Sequence, residues 1–221
     1  QVRALSDILQ APVVSYRTGK GIQDERHYLA LQQPPAREYW ANADVVIALG
    51  SQMRVPLQRW ATDHRPKIIR IDVDPTTHRR FTNPDVAITA RLEDALPSLI
   101  AAVYTRNPAR ESREAELSDL RGRWADEVSV LEPQLSYLAA IRDAIGEEGV
   151  FVDELTQVGF ASRIAWQTYA PRTYITTGYQ GTLGYGFPTA LGVKVARPDI
   201  PVVSITGDGG FMFCVQELAT A

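Results

Sequence analysis

The sequence predicts an α/β protein built on two parallel sheets, and three observations predict it. Short, nearly continuous apolar runs recur along the chain, the pattern of strands covered on both faces. Stretches of helix length separate those runs, which is the connection that parallel strands require. Several runs end on glycine or on acidic residues, at the strand ends where open α/β sheets hold ligands.

Taken in order, residues 11–16 read as a strand leading into a loop with Arg17 and Lys20. Those two cations could meet a phosphate, but a solvated loop is the favoured reading. Residues 43–51 form a stronger strand ending at Gly50, and residues 67–75 form a third, closed by Asp72, Asp74 and Pro75. A fourth strand at 85–90 precedes a helix over 92–104. This half is Rossmann-like, yet no G-x-G-x-x-G follows the Gly50 strand, so the dinucleotide fingerprint is missing. Asp72 and Asp74 stand where a ribose-binding carboxylate would fall; turn chemistry before a proline is the preferred account.

Between residues 105 and 132 charge crowds the chain, while Leu117, Leu120, Trp124, Val128 and Leu131 recur at three- and four-residue steps. That narrow stripe predicts a surface or linker helix. A helix around 138–145 should stop at Gly146. A strand follows at 150–152; Asp153 and Glu154 after it could form an acid–base pair, but strand-end carboxylates in solvent are the favoured reading. The remaining expectations are a helix at 160–166, a strand at 173–176, a helix opened by Pro188, a buried strand at 202–205 and a helix over 211–219. The predicted organisation is therefore a central Rossmann-like domain over 1–104, a charged linker over 105–133 and a second Rossmann-like domain over 134–221. Residues 5–9 already follow a helical pattern and the last residues stop inside one, so both ends look cut.

Composition narrows the function classes. The 221 residues are 45% hydrophobic and 22% charged, with a net charge of −3. This ordinary globular balance carries no basic bias toward nucleic acid or an anionic membrane. Cys214 is the sole cysteine, which removes disulfide frameworks and thiolate metal clusters. No apolar stretch reaches spanning length and no leader pattern opens the chain, so a cytoplasmic protein is expected.

The chemistry concentrates in two glycine-rich loops. Gly207-Asp208-Gly209-Gly210 joins the strand at 202–205 to a helix. Free first-turn amides and the helix dipole would suit a diphosphate, and Asp208 could hold a hard divalent cation bridging it. A plain N-cap at Asp208 is the competing account. Gly181-Thr182-Leu183-Gly184-Tyr185-Gly186 has spacing G-x-x-G-x-G, which is neither a dinucleotide loop nor a P-loop. Glycines around one large apolar side chain suit a flat heterocycle with Leu183 beneath it. A cofactor with an aminopyrimidine ring, a bent bridge and a diphosphate tail would use both loops.

These residues resemble the thiamine-diphosphate-dependent enzymes of the acetolactate synthase and benzoylformate decarboxylase group. Gly207 to Phe211 with Gln216 to Ala221 is similar to the start of that group's diphosphate motif. Gly181 to Gly192 resembles its pyrimidine-side loop, and residues 43–50 and 69–75 resemble its central domain. The resemblance implies that Asp208 ligates Mg²⁺ and that Gly207, Gly209 and Gly210 shape the diphosphate cradle. It also implies that the Gly181 carbonyl and Leu183 N–H hold the pyrimidine, with Leu183 bending the cofactor. Gln157 could serve near the diphosphate. The substrate would be a 2-keto acid, decarboxylated or carboligated, in a homodimer or homotetramer.

Departures from the group's pattern are informative. Its cation motif continues about two dozen residues past Gly-Asp-Gly to an asparagine, and its activating glutamate lies on a separate domain; neither is in the 221 residues. No catalytic side chain is therefore assigned, and the isolated chain is expected to be inactive. His27, His64 and His78 all fall in the first half, and Gln157-Val158-Gly159 replaces the group's Gln-His-Gln. Ser51-Gln52-Met53-Arg54 lacks the arginine pattern of flavin-binding members, which leaves FAD doubtful. Two alternatives stay open: a non-catalytic binding or regulatory homologue, and a flavin or nicotinamide oxidoreductase.

Overall fold

The computed structural model describes residues 1–60, 65–178 and 180–221; His64 and Tyr179 lie outside the described residues. The first elements in chain order are α1 (Val2–Leu9), β1 (Val13–Val14), β2 (Ala30–Leu31), α2 (Gln33–Trp40), β3 (Val45–Leu49), α3 (Arg54–Arg59), β4 (Lys67–Asp72), β5 (Val86–Thr89) and α4 (Leu92–Arg106). Then follow α5 (Glu114–Val128), α6 (Gln134–Ile145), β6 (Val150–Val152), α7 (Gln157–Ala165), β7 (Tyr174–Ile175), α8 (Gly186–Ala196), β8 (Val202–Ser204) and α9 (Asp208–Met212). The chain divides into two compact units: Gln1–Ala11 with Pro34–Arg113, and Pro12–Gln33 with Glu114–Ala221.

In the first unit β3, β4 and β5 form a parallel sheet with β4 in the centre. Ala48, Ile68, Ile71, Leu96 and Leu5 are among the buried apolar residues of this unit, and α1 packs against α4. In the second unit β6 is central in the order β7-β6-β8, again all parallel. Side chains alternate across a strand, so β6 feeds two cores. Phe151 joins Leu138, Ile145, Ala161, Trp166 and Tyr174 from α6, α7 and β7. Val150 and Val152 pack instead with Ile200 and, from α8, Ala190 and Val193. Phe151 stacks on Trp166 with centroids 4.6 Å apart. The expected α/β class with covered parallel strands is the architecture observed.

Several expectations change in detail. α2, α3 and β2 are not among the elements the sequence predicts, although Pro34 and Pro35 in the first turn of α2 suit a helix start. α8 opens at Gly186, two residues before Pro188. β8 is half-buried rather than buried, because it pairs only with β6 among the described residues. The helix foreseen over 211–219 is broken: α9 ends at Met212, and a 3-10 turn spans Val215–Leu218. At the break Phe213 N–H bonds the Gly210 carbonyl, and Cys214 leaves helical geometry at φ −132°.

The loop with Arg17 and Lys20 is not a solvated one at Lys20. Lys20 is 4% exposed, and its ammonium pairs with Glu25 at 2.8 Å. Burial pulls the Lys20 pKa below its ordinary value while Glu25 pulls the other way. Glu25 Oε2 also accepts from Thr168 N–H at 2.8 Å, and Arg121 of α5 donates to the carbonyls of Glu25 and His27. The charged helix α5 is thereby fastened to residues 25–27 and buries Leu117, Leu120 and Val128.

Candidate functional site

Parallel pairing puts the C-terminal ends of β7, β6 and β8 along one edge of the second sheet. Three segments leave that edge: residues 153–157 after β6, the loop at 181–185 before α8, and Thr206 with Gly207 before α9. They meet. A side chain at Gly184 would put its Cβ 2.9 Å from Phe213 Cβ and 3.0 Å from Cys214 Sγ, and Gly184 adopts φ +78°. Cys214 Sγ–H donates to the Gly184 carbonyl at 3.2 Å. At Gly207 a Cβ would lie 3.6 Å from Thr156 Cγ2, and at Gly181 one would lie 3.6 Å from Leu155 Cδ1.

Glu154 lies beneath this junction, fully buried, and with it comes the main correction to the sequence reading. Its Oε1 accepts from Gly184 N–H at 2.8 Å, and its Oε2 accepts from Gly186 N–H at 2.6 Å and Thr206 Oγ1–H at 3.0 Å. Asp153 is equally buried: its Oδ2 accepts from Arg163 Nε–H at 2.9 Å and Tyr174 O–H at 3.0 Å. Neither carboxylate is in solvent: groups of the two glycine loops enclose Glu154, and the Arg163 and Tyr174 side chains enclose Asp153. Burial first, and then the neighbouring Asp153, push the Tyr174 phenol above its ordinary pKa.

The predicted site residues fall around the same junction. Gly207 is the N-cap of α9 and Asp208 its first residue, with no side-chain cap bond. Asp208 and Gly209 are exposed, and a Cβ at Gly209 would touch nothing within 4 Å. Gly210 is buried, and its missing side chain makes room for Glu154, whose Oε1 would lie 2.1 Å from a Cβ. Gly181 holds φ +63° and Leu183 is 43% exposed. Gln157 opens α7 on the exposed side, after Thr156, whose hydroxyl accepts from Gly159 N–H at 2.8 Å.

Do these groups suit a diphosphate-bearing cofactor? The N–H groups of Asp208, Gly209 and Gly210 lie in the first turn and have no acceptor within the helix. Asp208 and Gly209 are exposed at this turn, and the missing side chain of Gly209 leaves its surroundings open to an anion. Among the described residues the buried hydroxyls of Thr176, Thr177 and Ser204, at the ends of β7 and β8, have no hydrogen-bond partner. The donor set fits. For a cation Asp208 offers one carboxylate; among the described residues no three His, Cys, Asp or Glu side chains gather at a metal-holding distance.

Other sequence candidates lie elsewhere. Asp72 Oδ1 accepts from Asp74 N–H at 3.0 Å, and Asp74 Oδ1 accepts from Thr76 N–H at 2.8 Å. Both act in the turn, as that reading preferred. His27 belongs to the second unit in space although it lies early in the chain, and it sits beside Gln23 and Tyr28. A cleft of about 520 Å³ lined by Arg26, His27, Tyr28, Glu114, Ser118 and Arg121 contains none of the loop residues. Sequence reasoning missed Glu154 and Thr206 as members of the site. A second acid directly after a fully buried strand was the available signal for Glu154.

Comparison with known proteins assigns both halves of the chain to domains of one enzyme family. Residues 1–99 match the thiamine pyrophosphate enzyme central domain, and residues 156–221 match the C-terminal TPP binding domain of the same enzymes. The chain is 31% identical to a probable acetolactate synthase large subunit of Methanococcus aeolicus over 98% of its own length and 40% of that protein. It is 32% identical to a probable 2-ketoarginine decarboxylase of Pseudomonas aeruginosa over 99% of its length and 40% of that protein. An acetolactate synthase of Arthrospira platensis is 30% identical over all of the chain and 41% of the relative. The chain thus spans about two fifths of the length of these curated relatives. With residues 1–99 matching the central domain and residues 156–221, which hold both glycine loops, matching the TPP binding domain of the same enzymes, this chain is a member of the thiamine pyrophosphate enzyme family.

Proposed function

We propose that this chain carries the diphosphate- and cation-binding side of an acetolactate synthase-like enzyme that decarboxylates or carboligates 2-keto acids with thiamine diphosphate and Mg²⁺. The convergence of the Gly181–Gly186 and Gly207–Gly210 loops on one sheet edge is the observation that carries the proposal. Bound thiamine diphosphate supplies an electron sink for the carbon that loses carbon dioxide. In this reading the first-turn amides of α9 bind and orient the diphosphate, aided by the helix dipole. Asp208 gives the cation one oxygen ligand. The Gly181 carbonyl accepts from the pyrimidine amino group and Leu183 N–H donates to the ring. The half-exposed Leu183 side chain would offer the bound cofactor an apolar surface. Gln157 adds a polar group at the start of α7.

The test is calorimetry of thiamine diphosphate against the 221-residue chain, with and without Mg²⁺. Magnesium-dependent heat that disappears in Asp208→Ala is expected; equal heat in EDTA would remove Asp208 from a cation role. Carbon dioxide release from pyruvate by these 221 residues alone is expected to be nil, and measurable turnover would contradict that. Met212 and Phe213 are exposed apolar side chains beside the diphosphate loop, which supports a homodimer or homotetramer. Sedimentation as a monomer at all concentrations would oppose it.

A further inference from the structure

We propose that Glu154 is a positioning residue that sets the spacing between the pyrimidine-side loop and the diphosphate loop; the inference rests on the functional reading above. A buried carboxylate needs hydrogen-bond donors in place of water. Glu154 takes its three from both loops and from nowhere else among the described residues: Gly184 and Gly186 N–H on one side, Thr206 Oγ1–H on the other. The partners lie 30, 32 and 52 residues away in sequence, so the carboxylate joins segments that no local bond connects. Glycine at two positions admits it. A Cβ at Gly210 would stand 2.1 Å from Oε1, and one at Gly186 would stand 2.9 Å from Oε2. A cofactor held by Gly181 and Leu183 at one end and by Gly209 and Gly210 at the other senses this spacing. A misplacement of an ångström between binding groups is costly to a ligand that must touch both.

Asp153 provides the control, since it is equally buried on the neighbouring position but bonds Arg163 and Tyr174 rather than the loops. In Glu154→Gln one carboxylate oxygen becomes an NH₂ group and faces a backbone or hydroxyl donor. The experiment measures the thiamine diphosphate Kd with Mg²⁺, the melting temperature, and amide hydrogen exchange of the ligand-free chain. Glu154→Gln should weaken the Kd about tenfold or more, in the range that supporting residues show. It should also speed exchange at Gly184 and Gly186 by about tenfold while leaving α6 amides slow. Asp153→Asn should lower the melting temperature and leave Kd and those two amides near wild type. A wild-type Kd in Glu154→Gln, or exchange that rises uniformly through the second unit, overturns the proposal. If Glu154→Gln does not fold, Thr206→Val decides: removing one donor should weaken Kd severalfold, and an unchanged Kd overturns it. If the wild-type chain binds no thiamine diphosphate, the functional reading fails, and the exchange of Gly184 and Gly186 alone decides whether Glu154 holds the loops.

Discussion

The central strands β4 and β6 end alike in sequence and differently in space. Each buries apolar residues, and each is closed by closely spaced acids: Asp72 with Asp74, Asp153 with Glu154. In the first unit the carboxylates turn back onto their own turn, with partners two residues away. Pro75 then opens a 3-10 helix capped by Asp74. In the second unit the acids lead away from the turn. Asp153 reaches Arg163 and Tyr174, and Glu154 reaches two glycine loops. A strand-end acid thus has no fixed meaning. Its role depends on whether nearby backbone donors are local or are brought in by distant loops whose glycines leave room.

The largest test of that contrast is Glu154→Ala, which strands three donors inside the unit. At about 1–3 kcal/mol for each unsatisfied buried group, the loss should be on the order of 3 kcal/mol or more in urea denaturation. A loss below 1 kcal/mol would mean that water replaces the carboxylate and would break the comparison. Gly210→Ala should come next, at about 1–3 kcal/mol, because its Cβ overlaps Glu154 Oε1. Gly209→Ala, one residue earlier in open space, should change stability by less than about 0.5 kcal/mol. Equal effects at both glycines would refute the account of Gly210.

Tyr174→Phe sharpens the Asp153 side of the comparison. At neutral pH it should cost about 1 kcal/mol for the lost hydroxyl bonds. Above the ordinary tyrosine pKa of 10.0 the unfolded chain releases the phenol proton, whereas the folded chain retains it. The folded state then binds more protons, so stability falls as pH rises beyond about 10. That component should be missing from the alkaline denaturation profile of Tyr174→Phe. Asp74→Ala should have the smallest effect of the carboxylate variants. Bonds from Thr76 hold the Asp74 pKa below its ordinary 3.8. Its contribution is present above that value and is lost as pH falls through the lower folded value, so wild type and Asp74→Ala should converge in acid melts. A constant gap at all pH values would argue against a charge-dependent cap.

Much of the fold was legible because the deciding forces are local. The strand Val150–Val152 is an apolar run between turn signals, and α6 ends at Gly146 with φ +67°, the conformation glycine adopts freely. α4 and α5 follow helical periodicity, though the stripe expected to run on to Leu131 stops being helical at Val128. The two glycine loops were legible as well, since their residue types limit what the backbone can do.

Residue order and residue type by themselves determined the α/β class, the parallel strands, the two loops and their family. Tertiary structure alone decided which charges are buried. Lys20 reads as a loop cation until Glu25, itself held by Thr168 N–H, pairs with it out of solvent. Residues 12–33 read as part of the first domain, yet they pack within the second unit. Glu154 reads as a solvent-facing acid until amides 30 and 32 residues away supply its hydrogen bonds. Short-range patterns encode backbone geometry and apolar faces, whereas the solvation of a charge is set by whatever the rest of the chain places around it.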